Sequence, residues 1–131
     1  MIKKDKSTSG VFLTFSGNCQ SALAFYQECF GGTLKFETFE ICVDGNLCSP
    51  VIAGSLFSDR VVIHGSDLVH DEERKLGNCM AIFLGCENVE ERKTLIKKLS
   101  AGTKRLPDVF EDDQHLIEIT DAFDVRWVLS T

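Results

Sequence analysis

The sequence predicts an α+β fold made of two pseudo-symmetric βαβββ modules, which form a curved mixed sheet with helices on its outer face. Three observations lead to this prediction: a helix-like stretch occurs twice, a strand-like run precedes each copy, and further strand-like runs follow. The stretch GNCQSALAFYQECFGGT, at 17–33, is matched seventy residues later by CENVEERKTLIKKLSAGT, which ends at Thr103. Half of this chain is too small to bury a sheet and a helix alone, so we expect the modules to share one core.

The domain organisation follows from the length and from the polar segments. A chain of 131 residues suits one domain. We expect residues 1–10 to be a flexible leader, because MIKKDKSTSG is polar and lacks the apolar segment of a signal peptide. The single domain at 11–131 then consists of modules at about 11–66 and 79–131, joined by an exposed polar connector at 67–78.

The first module begins with an apolar strand, VFLTF at 11–15, and continues into an amphipathic helix. Asn18 is predicted to cap the start of this helix, and Gly31 and Gly32 are predicted to end it. Five apolar side chains have the spacing that places them on one helical stripe. They are Ala22, Phe25, Tyr26, Cys29 and Phe30.

The second module repeats this layout at the same offset. The matched positions include Phe12 with Ile82, Asn18 with Asn88, and Gly32 with Gly102. Asn88 and Glu91 have the spacing of a capping box, in which two side chains bond the first amides of a helix. The second helix is therefore predicted to begin after Asn88.

Strand-like runs follow both helices. In the first module they occupy 33–43, 49–57 and 60–66, and in the second they occupy 103–110, 114–120 and 125–130. Turn-forming pairs such as Asp44 and Gly45 separate them. Each module therefore has the order βαβββ.

Composition excludes several classes of partner. The net charge of −6 argues against nucleic acid, which requires a basic surface. No apolar run is long enough to cross a membrane. The six cysteines contain no C-x-x-C pair, and we expect them to be reduced in a cytoplasmic protein.

The last two strands carry the strongest candidates for ligand binding. Alternation places Val125, Trp127 and Leu129 on one face of the final strand and Arg126 on the other. A guanidinium suits a carboxylate or phosphate ligand. Glu118 is the carboxylate expected near Arg126, where it either forms a structural ion pair or helps to hold a ligand.

Two further candidates come from the first module. His64 ends a strand and either faces a cavity or forms a hydrogen bond at the surface. Phe15 is one of several aromatic residues that either line an apolar groove or fill the core. The others are Phe36, Phe39, Phe57 and Trp127.

Two segments resemble the PhnB-like branch of the glyoxalase/bleomycin-resistance/dioxygenase (vicinal-oxygen-chelate) superfamily. FSGNCQSALAFYQECFGGTL is similar to the first helix of that branch, and TDAFDVRWVLS is similar to its ending. The resemblance covers nearly the whole chain after residue 10 and implies the glyoxalase/bleomycin-resistance fold, often as a homodimer. The turn glycine of the branch is replaced by Asp124.

The resemblance also implies where a divalent metal would bind in metal-dependent members. The four positions fall at Val11 or Phe12, at Ala53 or Gly54, at Met80 or Ala81, and at Val128. None of these side chains has an oxygen or imidazole that could bind a hard or borderline cation, so we expect neither metal nor another cofactor.

Three functions remain open at this point. The first is a metal-free protein that binds a small organic molecule, with anions among the candidates, in its cup or dimer cleft. The second is a metal-dependent lyase, isomerase or dioxygenase of the same superfamily. The third is an antibiotic-sequestering resistance protein, and no catalytic residue is assigned.

Overall fold

The chain divides into two compact units. They are Met1–Lys75, called unit 1, and Leu76–Thr131, called unit 2. The computed structural model describes residues 9–38, 41–43, 46–48, 51–67, 77, 79–103 and 112–131. Both units combine a helix with a mixed sheet, which confirms the predicted α+β class.

The described residues of unit 1 form one helix and six strands. They are β1 (Val11–Thr14), α1 (Cys19–Phe30), β2 (Thr33–Thr38), β3 (Ile41–Val43), β4 (Asn46–Cys48), β5 (Val51–Phe57) and β6 (Val62–Ser66). Four strands form a sheet in the order β1-β6-β5-β2, in which only the pair β1 and β6 is parallel. The strands β3 and β4 form a separate antiparallel pair.

The strand predicted at 33–43 is divided into β2 and β3. A shift in the pairing of β2 with β5 between Glu37 and Thr38 marks the irregular end of β2. Such a shift locally disrupts the ladder of hydrogen bonds and bends the strand. Asp44 and Gly45, predicted to form a turn, lie outside the described residues.

Unit 2 contains β7 (Ile82–Gly85), α2 (Val89–Leu99), β8 (Leu116–Thr120) and β9 (Arg126–Ser130). Its strands have the order β7-β9-β8, with β7 parallel and β8 antiparallel to β9. This arrangement repeats β1, β6 and β5 of unit 1, so the predicted internal repeat is present in the pairing of strands as well as in the sequence. Residues 104–110, which belong to the first strand predicted after α2, lie outside the described residues.

The core of unit 1 lies between α1 and one face of its sheet. Ala22, Tyr26 and Cys29 are buried as predicted, whereas Phe25 is only half-buried and Leu23 is fully buried. A Cβ at Gly54 would lie 2.8 Å from Leu23 Cδ1, so any larger residue there would require the Leu23 side chain to shift where β5 approaches the helix. The buried face of α1 is therefore rotated from the predicted apolar stripe, so that it includes Leu23 and leaves Phe25 at its margin.

The core of unit 2 follows the predicted alternation of β9. Trp127 and Leu129 are fully buried, and Ile117 and Ile119 of β8 are buried beside them in register. Arg126, Val128 and Ser130 are half-buried on the other face. Leu95 and Leu99 of α2 are also buried.

The two helices begin differently, which corrects one prediction. Asn88 Oδ1 accepts a hydrogen bond from Glu91 N at 2.8 Å, as predicted, but the Asn18 side chain makes no capping bond. Asn88 has the extended backbone (φ −157°, ψ 173°) that an N-cap requires, whereas Asn18 does not (φ −115°, ψ 21°). In unit 1, Asp67 Oδ1 instead accepts from Gly17 N at 2.9 Å and Cys19 N at 3.0 Å.

Asp67 also changes the interpretation of the connector. It was predicted to start an exposed segment at 67–78, but Asp67 is buried. Its Oδ2 accepts a third backbone hydrogen bond, from Val51 N at 3.1 Å. A buried carboxylate is stable when its oxygens are bonded in this way. The rest of the connector, apart from Gly77, lies outside the described residues.

Candidate functional site

Each sheet has one face that carries buried side chains and one open face. The open face of unit 2 lies opposite Trp127 and Leu129. It presents half-buried and exposed residues of β7, β8 and β9, because side chains alternate along a strand. These residues are Phe83, Leu116, Glu118, Thr120, Arg126, Val128 and Ser130.

Arg126 and Glu118 lie together on this open face. Arg126 Nη2 donates to Glu118 Oε1, which confirms that these two predicted residues form an ion pair. Arg126 Nη1 donates to the carbonyl oxygen of Met80 at 3.2 Å. Both ends of the guanidinium are therefore held, and the Arg126 and Glu118 side chains remain 25% and 50% exposed.

Exposed apolar side chains occur on and beside this face. Phe83 is 62% exposed and lies opposite Val128 in the strand register, and Leu116 is 55% exposed. Met80, whose carbonyl holds Arg126, is 77% exposed. Sequence reasoning did not single out Phe83, although the alternation in AIFLG was the signal that could have found it.

His64 lies on the open face of unit 1. The β5–β6 register places Ser55 directly opposite it, and Ser55 Oγ lies 2.8 Å from His64 Nδ1. The Phe57 ring meets the imidazole edge-to-face, with centroids 5.6 Å apart. Phe12 lies opposite His64 on β1 and is 59% exposed.

The other predicted aromatic residues do not share this exposure. Phe15 and Trp127 are fully buried, so they belong to the cores of their units and offer no surface to a ligand. Phe36 lies close to Gly54, on the helix-facing side of β5. Phe39 lies outside the described residues. Phe57 is half-buried beside His64.

The strand register revises two of the positions that correspond to metal ligands in metal-dependent members of the superfamily. Phe12 pairs with His64 in unit 1, just as Phe83 pairs with Val128 in unit 2. The amides of Phe15 and Cys86 likewise donate to equivalent carbonyls, those of Ser66 and Ser130. The equivalent of Val128 in unit 1 is therefore His64 and not Ala53 or Gly54. The equivalent of Phe12 in unit 2 is Phe83 and not Met80 or Ala81.

The donor set does not fit a divalent metal at these positions. His64 supplies one imidazole, but Phe12, Phe83 and Val128 have no ligating atom. Within the described parts of the chain, no three His, Cys, Asp or Glu side chains come together in a way that could hold a metal ion. No described helix is long and apolar enough to span a membrane.

Comparisons with known proteins support the fold. Protein YjdN of Escherichia coli K12 is 26% identical over an alignment of 137 positions, gaps included, which covers 91% of each chain. A crystallised PhnB protein from Bacillus cereus matches 95% of this chain and 98% of its own, with a TM-score of 0.71 and 20% identity. No family model matches the chain.

A third match has a name that points to a wider group. The glyoxylase/bleomycin resistance protein/dioxygenase domain of Frankia sp. EAN1pec matches 96% of this chain and 93% of its own. Its TM-score is 0.51 and its identity is 16%. At such identities the structural matches establish a common fold.

Proposed function

Because the chain has the fold of the PhnB-like branch of the glyoxalase/bleomycin-resistance/dioxygenase superfamily, we propose that it binds a small organic anion. The ligand lies on the open face of unit 2, with its carboxylate on Arg126. The observation that supports this proposal is the guanidinium of Arg126, held at Met80 and paired with Glu118 beside exposed apolar side chains.

The ion pair between Arg126 and Glu118 is weak enough for a ligand carboxylate to take the place of Glu118. An ion pair this exposed contributes only about 0–1 kcal/mol to stability. A ligand carboxylate can therefore replace Glu118 at little cost, while the bond from Nη1 to Met80 keeps the guanidinium in place. Arginine is well suited to this exchange because its planar fork matches a carboxylate.

The neighbouring side chains favour an anion that also has an apolar body. Phe83 and Leu116 are both more than half exposed. Contact with a ligand would remove their apolar surface from water, which contributes roughly 25 cal/mol for each Å² buried. The proposed ligand is therefore an aromatic or alkyl carboxylate.

Three further features belong to this proposal: binding without metal, a homodimeric state and a cytoplasmic location. The lack of ligating atoms at Phe12, Phe83 and Val128 supports binding without metal. Cys19, Cys29, Cys79 and Cys86, the cysteines whose side chains the structure describes, are free thiols, which is consistent with a reducing compartment.

The test is a calorimetric titration with benzoate, which combines a carboxylate with an apolar ring. Arg126→Gln is expected to weaken binding roughly tenfold, because one charge-assisted interaction is lost. Glu118→Gln is expected to strengthen binding several-fold, because the competing carboxylate is removed. Arg60→Gln, which makes the same change at an exposed arginine of unit 1, serves as the matched control.

Two results would overturn the proposal. Equal benzoate affinities for the Arg126→Gln and Arg60→Gln variants would remove Arg126 from the site. Loss of binding in EDTA, with recovery on addition of a divalent ion, would instead support the metal-dependent enzyme of the same superfamily.

A further inference from the structure

Arg92 of α2 is a charged residue that lies almost wholly inside unit 2. It is 1% exposed, although a guanidinium keeps its charge in proteins and is costly to remove from water unless its N–H groups are bonded. Among the described residues, its hydrogen-bond acceptors are backbone carbonyl oxygens. The guanidinium therefore binds a stretch of backbone.

The acceptors all belong to the short segment that precedes β8. Arg92 Nη1 donates to the carbonyl of Gln114 at 2.7 Å and, more loosely, to that of His115 at 3.5 Å. Arg92 Nη2 donates to the carbonyl of Asp112 at 3.2 Å. Residues 112–115 are exposed, so their position depends on contacts such as these more than on burial of their side chains.

The next residue of α2 adds a weaker link to the same segment. Lys93 Nζ lies 3.2 Å from Asp112 Oδ1, so Asp112 is held through its carbonyl by Arg92 and through its carboxylate by Lys93. Both side chains of this ion pair are more than half exposed, and such pairs contribute little. Arg92 is therefore the main anchor of residues 112–115.

This anchor lies directly before a residue of the proposed anion site. β8 begins at Leu116, which follows His115 and shares the open face with Glu118. In the described sheet, β8 pairs with β9 along one side only, and the end of such a strand opens more readily than its middle. Fixing the carbonyls of Gln114 and His115 therefore limits the motion of Leu116.

We infer that Arg92 is a positioning residue of the anion site and sets its preference for acids with an apolar body. Its guanidinium holds residues 112–115 so that Leu116 stays on the open face, where it contacts the apolar part of the ligand. Arg92 is too buried to touch the ligand, so it acts through Leu116. This inference rests on the proposed function, because the ligand is the anion that we propose to bind Arg126.

The experiment compares benzoate with acetate in NMR titrations. Arg92→Met, which removes the guanidinium and keeps an unbranched side chain, is expected to weaken benzoate binding roughly three- to tenfold. The acetate affinity is expected to stay unchanged, because acetate offers almost no apolar surface to Leu116. Arg92→Lys is expected to recover part of the benzoate affinity, because an ammonium reaches fewer carbonyls than a guanidinium. Lys97→Met makes the same charge change at an exposed residue of α2 and serves as the control.

A double-mutant cycle tests whether Arg92 acts through Leu116. Leu116→Ala alone is expected to weaken benzoate binding, and adding Arg92→Met to it is expected to have no further effect. A general structural role of Arg92 would instead weaken binding by the same factor in both backgrounds.

A measurement without ligand follows Leu116 directly. The NMR signals of its methyl groups are assigned by their loss in Leu116→Ala. Arg92→Met is expected to make these methyl groups more mobile on the picosecond to nanosecond timescale, whereas Lys97→Met is not. The same spectra show whether each variant is folded, and Arg92→Lys replaces Arg92→Met in every measurement if the latter does not fold.

Unchanged mobility of the Leu116 methyl groups in a folded Arg92 variant would overturn the inference, whether or not benzoate binds. Equal benzoate affinities of Arg92→Met and Lys97→Met, or equal losses of benzoate and acetate affinity, would also overturn it. Failure of the wild type to bind benzoate would instead overturn the proposed function. The methyl signals would then still decide whether Arg92 positions Leu116.

Discussion

The buried thiol of Cys19 lies where α1 meets the sheet of unit 1. Its Sγ would lie 3.1 Å from a Cβ at Gly65, and its amide donates to Asp67. Burial raises the pKa of Cys19 from its ordinary value of 9.0 to about 12, and the negative charge of Asp67 adds to the rise. The thiol is therefore a packing group and a poor nucleophile.

The raised pKa predicts a loss of stability in alkaline solution. Above pH 9.0 the unfolded chain releases the Cys19 proton while the folded chain retains it until about pH 12. The contribution of this group is complete below pH 9.0 and falls by about 1.4 kcal/mol for each pH unit in that interval. Urea unfolding at several pH values measures it.

Cys19→Ala is the control for this prediction, because other groups also titrate in alkali. The wild type is expected to lose stability more steeply than Cys19→Ala between pH 9.0 and about 12. Parallel curves for the two proteins would show that the thiol titrates normally.

At the scale of single elements, the start of α1 is stabilised by Asp67, which directly follows β6, and not by the side chain of its N-cap residue Asn18. Asp67 accepts hydrogen bonds from Gly17, Cys19 and Val51. Asp67→Asn would turn an amide NH₂ toward at least one of these donors and leave it unpaired. We expect a loss of roughly 2–3 kcal/mol in the free energy of unfolding, measured by urea denaturation.

Asp59→Asn is the matched control for Asp67, because Asp59 is exposed and the charge change is identical. It is expected to alter the stability by less than about 0.5 kcal/mol. Similar midpoints for both variants would mean that the three amides do not depend on the Asp67 carboxylate.

The turn between β8 and β9 contains a strained residue. Asp124 has φ of 65°, a left-handed conformation that costs a non-glycine residue roughly 1–2 kcal/mol. Asp124→Gly is expected to raise the free energy of unfolding by up to about 1 kcal/mol, because glycine removes that strain but adds freedom to the unfolded chain.

Asp124→Ala separates strain from other effects of removing the carboxylate. Alanine has the same backbone strain and cannot form the local hydrogen bonds of an aspartate, so it is expected to destabilise the protein. Thermal unfolding that ranks alanine above glycine would contradict this explanation of the turn.

The spacing of apolar and capping residues in the sequence predicted the helices and strands better than it predicted which distant residues bond to them. The alternation of β9 and the cap at Asn88 are local patterns, and the structure confirms both. Asp67, and not Asn18, accepts the hydrogen bond from the first amide of α1. This contact joins Cys19 to a residue 48 positions later in the chain, so no local sequence pattern could predict it.

The candidate sites show the same division. The pairing of Arg126 with Glu118 could be predicted because their strands are neighbours along the chain. The pairing of Ser55 with His64 requires the register of β5 and β6, and a hairpin displaced by one residue would put them on opposite faces. The sequence could not decide whether Phe15 fills the core or lines a groove, because aromatic side chains are common in both places.

At the scale of the whole molecule, the proposed homodimer is a prediction in its own right. Native mass spectrometry is expected to give twice the chain mass of 14.6 kDa. Salt should have little effect on the dimer if apolar contacts hold it together. A monomer at micromolar concentration would contradict the prediction and leave the ligand proposal to be tested on single chains.

The buried aromatic side chains give each unit its own optical reporter. The chain has one tyrosine and one tryptophan, and Tyr26 belongs to unit 1 while Trp127 belongs to unit 2. Trp127 is next to Arg126 in the chain but lies on the opposite face of β9. Its Nε1 donates a hydrogen bond to Asp121 Oδ2 at 2.8 Å. Fluorescence excited at the red edge comes from tryptophan alone, so unlabelled protein is suited to stopped-flow measurement of how quickly a ligand reaches or leaves the face that carries Arg126.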